Sequence, residues 1–135
     1  MKNPEREEIR DILKNSKRIA VVGLSDDPSR TSYMVSKSMQ DAGYEIIPVN
    51  PVIKEALGVK AVPSLKDVKG HIDIVNVFRR SEYLLEVAEE FLEADADVFW
   101  AQQGLANEEA YQLLKEKGYP VIMDLCIKVA HAVLK

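Results

Sequence analysis

The chain has 135 residues, 47% hydrophobic and 30% charged, the balance of one soluble globular domain long enough to bury a single core. Its formal net charge of -4 excludes a general field that attracts nucleic acid, so any anionic ligand must be held by local groups. The charged opening is unlike a signal peptide, no apolar run reaches membrane-spanning length, and the lone Cys126 permits no internal disulfide, so a reducing cytoplasm is the expected setting.

In chain order, PEREEIRDILKNS reads as a leading amphipathic helix, and RIAVVGLS as a strand buried on both faces. SYMVSKSMQDAG is helical and ends on Gly43, and YEIIPVNP is the second strand. ALGVKAVPSLKDVKG breaks the rhythm, with a short extra strand around Lys60 to Val62 and one helical turn from Ser64. HIDIVNVF is the third strand, and SEYLLEVAEEFLEA is a helix opening on Ser81 as N-cap. DVFWAQQ is the fourth strand, with Trp100 in the core. NEEAYQLLKEKG is a helix capped by Asn107, with acids in its first turn, lysines in its last and Gly118 beyond. YPVIMDLC is the fifth strand and IKVAHAVLK a closing helix. Strands alternating with helices predict a doubly wound α/β domain over residues 1–135: a parallel sheet in the order 3-2-1-4-5 with helices on both faces.

Ligands of such sheets bind beyond the carboxyl ends of the strands, where the strand order reverses. That rule selects GLSDDPSRTS, VNP, VFRRS, AQQGLAN and DLC. In the first, Gly23 allows close backbone approach, Ser25, Thr31 and Ser32 add hydroxyls, Arg30 adds a planar fork, and the following helix start favours anions. The bland reading is a plain strand-to-helix turn with a solvated arginine. Strand two ends on neutral Asn50 and Pro51, where an NAD site wants an acid, and Asn50 can meet a sugar or an adenine edge. Lys54 is a candidate for a further phosphate or a solvated lysine.

Val77 and Phe78 suit the flanks of an adenine with Arg79 on a phosphate, or else Phe78 is core and Arg79 an ion-pair partner at the surface. Gly104 permits close approach beside the amide of Gln102 or Gln103. Asp124 is a cap or ion-pair partner, and Cys126 is read first as an inert buried thiol. His71, in a turn, and His131, in the last helix, form no catalytic set, and no metal-ligand spacing is apparent.

VVGLSDDPSRTSYMV, PVNP, IDIVNVFR, WAQQGLANEEA and VIMDLC follow one another as in a family of small CoA-binding proteins. The chain resembles that family from about Ile12 to Leu134, and through it the N-terminal CoA-binding domain of the succinyl-CoA ligase α subunit. The resemblance implies a Rossmann-like domain binding coenzyme A or an acyl-CoA. Gly23, Ser25, Arg30 and Ser32 would hold phosphates, and Asn50 and Pro51 would border the nucleotide. Val77, Phe78 and Arg79 would surround adenine and ribose, and Gln102 and Gly104 would approach the pantetheine arm. Relatives usually have Arg where Leu125 stands and Glu where Ala130 stands. The ligase's phosphorylated histidine lies outside the resemblance, so no ligase activity is implied.

The expectation is therefore a CoA-binding module without chemistry of its own. Its rivals are an NAD(P)-linked reductase and a structural or interaction domain with no nucleotide. Capture of CoA by Cys126 as a mixed disulfide is a minor variant. Apolar helical faces at both termini permit a homo-oligomer without requiring one.

Overall fold

The computed structural model describes residues 1–134. Its elements are α1 (Arg6–Asn15), β1 (Arg18–Val22), α2 (Thr31–Asp41), β2 (Glu45–Val49), β3 (Glu55–Ala56), β4 (Val59–Lys60), β5 (Ile72–Val77), α3 (Leu84–Glu93), β6 (Ala96–Ala101), α4 (Glu108–Glu116), β7 (Val121–Ile122) and α5 (Ile127–Leu134). Single 3-10 turns lie at Leu65–Asp67, directly after Ser64, and at Ser81–Tyr83.

Five strands form one parallel sheet, β2-β1-β5-β6-β7, and β3 and β4 form a separate antiparallel pair. The doubly wound class is as expected, but the five strands run 2-1-3-4-5 rather than 3-2-1-4-5. The third expected strand crosses back to pair with β1, setting Ile74 opposite Ile19. The position outside β2 goes instead to the short segment near Lys60, where Val62 bridges Val49 in parallel. Counted as a strand, that segment restores the start 3-2-1-4-5 and makes β7 a sixth.

The burial pattern explains why β1 reads as an unbroken apolar run. Ile19, Ala20 and Val21 have no exposed surface. Ile19 and Val21 pack with Leu13, Met39 and Ile127 of α1, α2 and α5, whereas Ala20 and Val22 pack with Phe91 and Leu114 of α3 and α4. With both faces covered, neither set of alternating side chains meets water. Trp100 is fully buried, as expected, and its indole N–H donates to the Leu125 carbonyl at 2.8 Å.

Helix starts show which local signals survive the tertiary context. Asn107 caps α4, its side chain accepting from the Ala110 amide at 3.0 Å. Ser81 does not cap α3, because a 3-10 turn intervenes; its Oγ accepts from the Ala106 amide at 3.1 Å instead. Among the described residues no helix is long and apolar enough to cross a membrane.

Candidate functional site

The chain leaves β1 for β2 on one side and returns to β5 on the other, so the strand order reverses at β1. Hydrogen bonding continues past the strand ends and sets the loops side by side. The Gly23 amide donates to the Val49 carbonyl at 2.9 Å, Phe78 donates to Val22 at 2.8 Å, and Gln102 donates to Val77 at 3.3 Å.

Gly23 holds the centre of this rim. Its φ is +88°, and a Cβ there would lie 2.8 Å from the Phe78 carbonyl oxygen. Both the left-handed backbone and the contact with a neighbouring main chain require glycine. The close approach that the sequence suggested is thus made, in the first instance, to the end of β5.

The loop after Gly23 is ordered by its own short polar side chains. The Ser25 amide donates to Ser32 Oγ at 3.0 Å, and the Asp27 amide donates to Ser25 Oγ at 3.0 Å. Asp27 accepts from the Ser29 amide and hydroxyl at 2.9 and 2.8 Å, and these bonds hold its carboxyl below the usual range. Ser25 and Ser32 therefore act as acceptors within the loop, which leaves each hydroxyl a proton to donate.

Arg30 is exposed and precedes α2, which has neither a side-chain cap nor an acid in its first turn. α4, by contrast, has both the Asn107 cap and the acids Glu108 and Glu109. The first turn of α2 thus carries no acid of its own, the nearest carboxylate along the chain being that of Asp27 on the Ser29 amide, and such a helix start suits an anion.

Asn50 ties the second loop to the first: its Nδ2 donates to the Leu24 carbonyl at 3.0 Å, and its Oδ1 accepts from the Val52 amide at 3.0 Å. Along the chain β2 is followed by neutral Asn50 and exposed Pro51, and the first acid beyond it is Glu55. Lys54 is also exposed, so the structure gives it a solvated side chain.

Three expected contact residues have other neighbours in this structure. Val77 has no exposed surface, so only its half-buried neighbours Phe78 and Arg79 can flank a base. The Arg79 guanidinium lies 4.6 Å from the Tyr83 ring centroid and 4.0 Å from Glu86 Oε2, the ion-pair alternative of the two weighed. Gln102 is 4% exposed, and its Oε1 accepts from the Ile127 amide at 2.9 Å, so this side chain caps α5. Gly104 needs its φ of +84°, yet open space surrounds the position a Cβ would take. Cys126, half-buried, packs at the edge of the apolar cluster beneath α5.

Other residues gain roles that local sequence did not reveal. Asp124, at φ +56°, accepts from the Gly104 amide at 2.6 Å and clamps the last two loops together. Asn76 is 1% exposed in β5, and its Oδ1 has no hydrogen-bond partner among the described residues. An amide inside the apolar run IDIVNVF was the visible signal.

At the opposite end of the sheet, His71 bridges Asp95 at 2.8 Å through Nδ1 and Asp97 at 2.8 Å through Nε2. These hydrogen bonds, Asp97 first and Asp95 second, raise its pKa to about 9. The ligand atoms of His71, Asp73 and Asp97 lie within 4.8 Å of one another, metal-like proximity that residue spacing did not disclose. In this structure the group is an ion-pair cluster, with His71 Nε2 also 3.8 Å from Asp73 Oδ1.

The reversal at β1, the glycine turn and the acid-free first turn of α2 define a doubly wound, Rossmann-like α/β protein. More narrowly, the chain belongs to the CoA binding domain family, whose sequence profile matches residues 17–132. It is 78% identical over its full length to the uncharacterized protein YneT of Bacillus subtilis (strain 168), covering all of that protein. A stretch of 65 residues is 38% identical to the alpha subunit of the ADP-forming acetate–CoA ligase II of Pyrococcus furiosus, covering 47% of this chain and only 14% of that subunit. The solved structure of cell-free ID.343 from Thermus thermophilus superposes with a TM-score of 0.94 at 37% identity, covering 98% of this chain and all of that one.

Proposed function

We propose that the chain is a single CoA-binding module, holding coenzyme A or an acyl-CoA at the carboxyl rim of its sheet and performing no chemistry of its own. The observation that carries this reading is the start of α2, uncapped and with no acid in its first turn, set beside the neutral end of β2 at the point of strand reversal. Membership of the CoA binding domain family supports it.

In this reading the Gly23 turn, the hydroxyls of Ser25 and Ser32, and Arg30 hold phosphates with the α2 amides. Asn50 and Pro51 border the nucleotide. A carboxylate in place of Asn50 would repel the 3′-phosphate that distinguishes CoA from NAD. Phe78 offers an apolar face to the adenine, and Arg79 reaches the ribose side by exchanging Glu86 for the ligand. Gly104 and the backbone beside Gln102 line the path of the pantetheine arm. The chemistry of the residues fits the ligand.

Calorimetric titration tests the proposal with coenzyme A, dephospho-CoA and NAD. Saturable binding of CoA, weaker binding of dephospho-CoA and none of NAD are expected. No saturable heat, or equal affinity with and without the 3′-phosphate, contradicts it.

A further inference from the structure

A cavity of ≈ 590 Å³ opens at the amino end of the sheet, between α1, α5 and the turn joining α2 to β2. Its wall includes Leu13, Tyr44 and His131, and its mouth carries Arg10, Lys14 and Lys17. This is the size of a small-molecule site, and an apolar body with a few convergent polar groups is the usual composition of one. None of the residues expected at the carboxyl rim lines it.

The charge around it runs against the rest of the chain. Acids outnumber Lys and Arg by 22 to 18 overall, yet here three cations face one lining acid, Asp11. Five of the described bases, Lys2, Arg18, Lys37, Arg79 and Arg80, have a carboxylate within 4.0 Å, and unpaired bases are common over the rest of the surface. Arg10, Lys14 and Lys17 are exposed and have no ion pair within that distance among the described residues, and they differ from the other unpaired bases in lining one cavity together. The inner wall is fixed: the Tyr44 hydroxyl donates to the Leu13 carbonyl, and its ring meets that of His131 edge-on at 5.7 Å.

We propose that this cavity binds a small amphiphilic anion. Its carboxylate or phosphate head meets Arg10, Lys14 and Lys17, and its hydrocarbon body lies against Leu13 and Tyr44. Arg10 supplies a planar fork for either head, and the two lysines supply point charges. The site is independent of the CoA proposal, since it lies at the other end of the strands.

Titration of ¹⁵N-labelled protein with octanoate, octyl phosphate, octanol and octylammonium tests this by amide shifts. The two anions should shift Leu13, Ala42, Gly43 and Tyr44 saturably, the stronger of them identifying the preferred head, while octanol and octylammonium should not. The exposed double variant Lys14→Glu/Lys17→Glu should lose about tenfold in anion affinity. Arg10→Glu serves as a second reversal if the double variant loses its dispersed spectrum. Equal shifts with octanol, shifts centred on Gly23 to Ser32, no saturable shift with either anion, or unchanged affinity in the reversed variants would overturn the proposal.

Discussion

The two ends of this parallel sheet are tied by different balances of neutral and charged groups. At the carboxyl end the strands around the reversal are tied by neutral groups: the backbone bonds of Gly23, Phe78 and Gln102, the amide of Asn50, and the hydroxyl of Ser32. The carboxylates of Asp27 and Asp124 there accept only from uncharged amides and a hydroxyl. At the amino end the strands are tied by charge, with His71 held between Asp95 and Asp97 and with Asp73 accepting from the amides of Lys17 and Arg18. Helix dipoles account for part of the contrast, since in a doubly wound sheet helix starts crowd the carboxyl end. Under the proposed function the rim gains from a helix start with no cap and no acid in its first turn, as in α2.

Both ends rest on one shared support. Phe91 has no exposed surface and packs edge-on against both Phe99 and Tyr119. Phe91→Ala should cost about 3–5 kcal/mol, read from denaturant midpoints, and weaken both ends together. Gly23→Ala should cost about 1–3 kcal/mol, because the added Cβ meets a main-chain oxygen and the backbone is left-handed. It should also abolish CoA binding while leaving the titration of His71 unchanged, which separates the ends.

Arg30→Ala should lower CoA affinity about tenfold in calorimetry and leave stability within about 0.5 kcal/mol, since the side chain is exposed. Asn107→Ala removes the α4 cap and should cost about 1 kcal/mol with CoA affinity unchanged. The smallest effect belongs to His71. Its folded pKa is raised from 6.5 to about 9, so its contribution is complete below pH 6.5 and is lost as pH rises through about 9. Its side chain is 43% exposed and screened by water, so the decline should be shallow. Urea midpoints across that interval should fall in the natural protein and flatten in His71→Gln.

What was legible in the sequence was local. The apolar runs, the Asn107 cap, the turn at Gly23 and the neutral Asn50 announce themselves within a few residues, because propensity, capping and strand burial act over that range. The fate of the third strand was not legible, since either side of the sheet satisfies an apolar run. Nor were the roles of Val77 and Gln102, which a reading by position set at the crevice. Val77 is fully buried, and Gln102 spends its amide oxygen on α5, a partner that only the assembled fold supplies. The His71 cluster joins β5 to β6 and its preceding turn, so spacing along the chain could not reveal it.

A crystal structure of the protein grown with coenzyme A tests the central claim most directly. The account predicts phosphates at the start of α2 beside Arg30, with the adenosine between Asn50 and Phe78. Coenzyme A in the cavity beside Tyr44, or a rim still empty at saturating ligand, would contradict it.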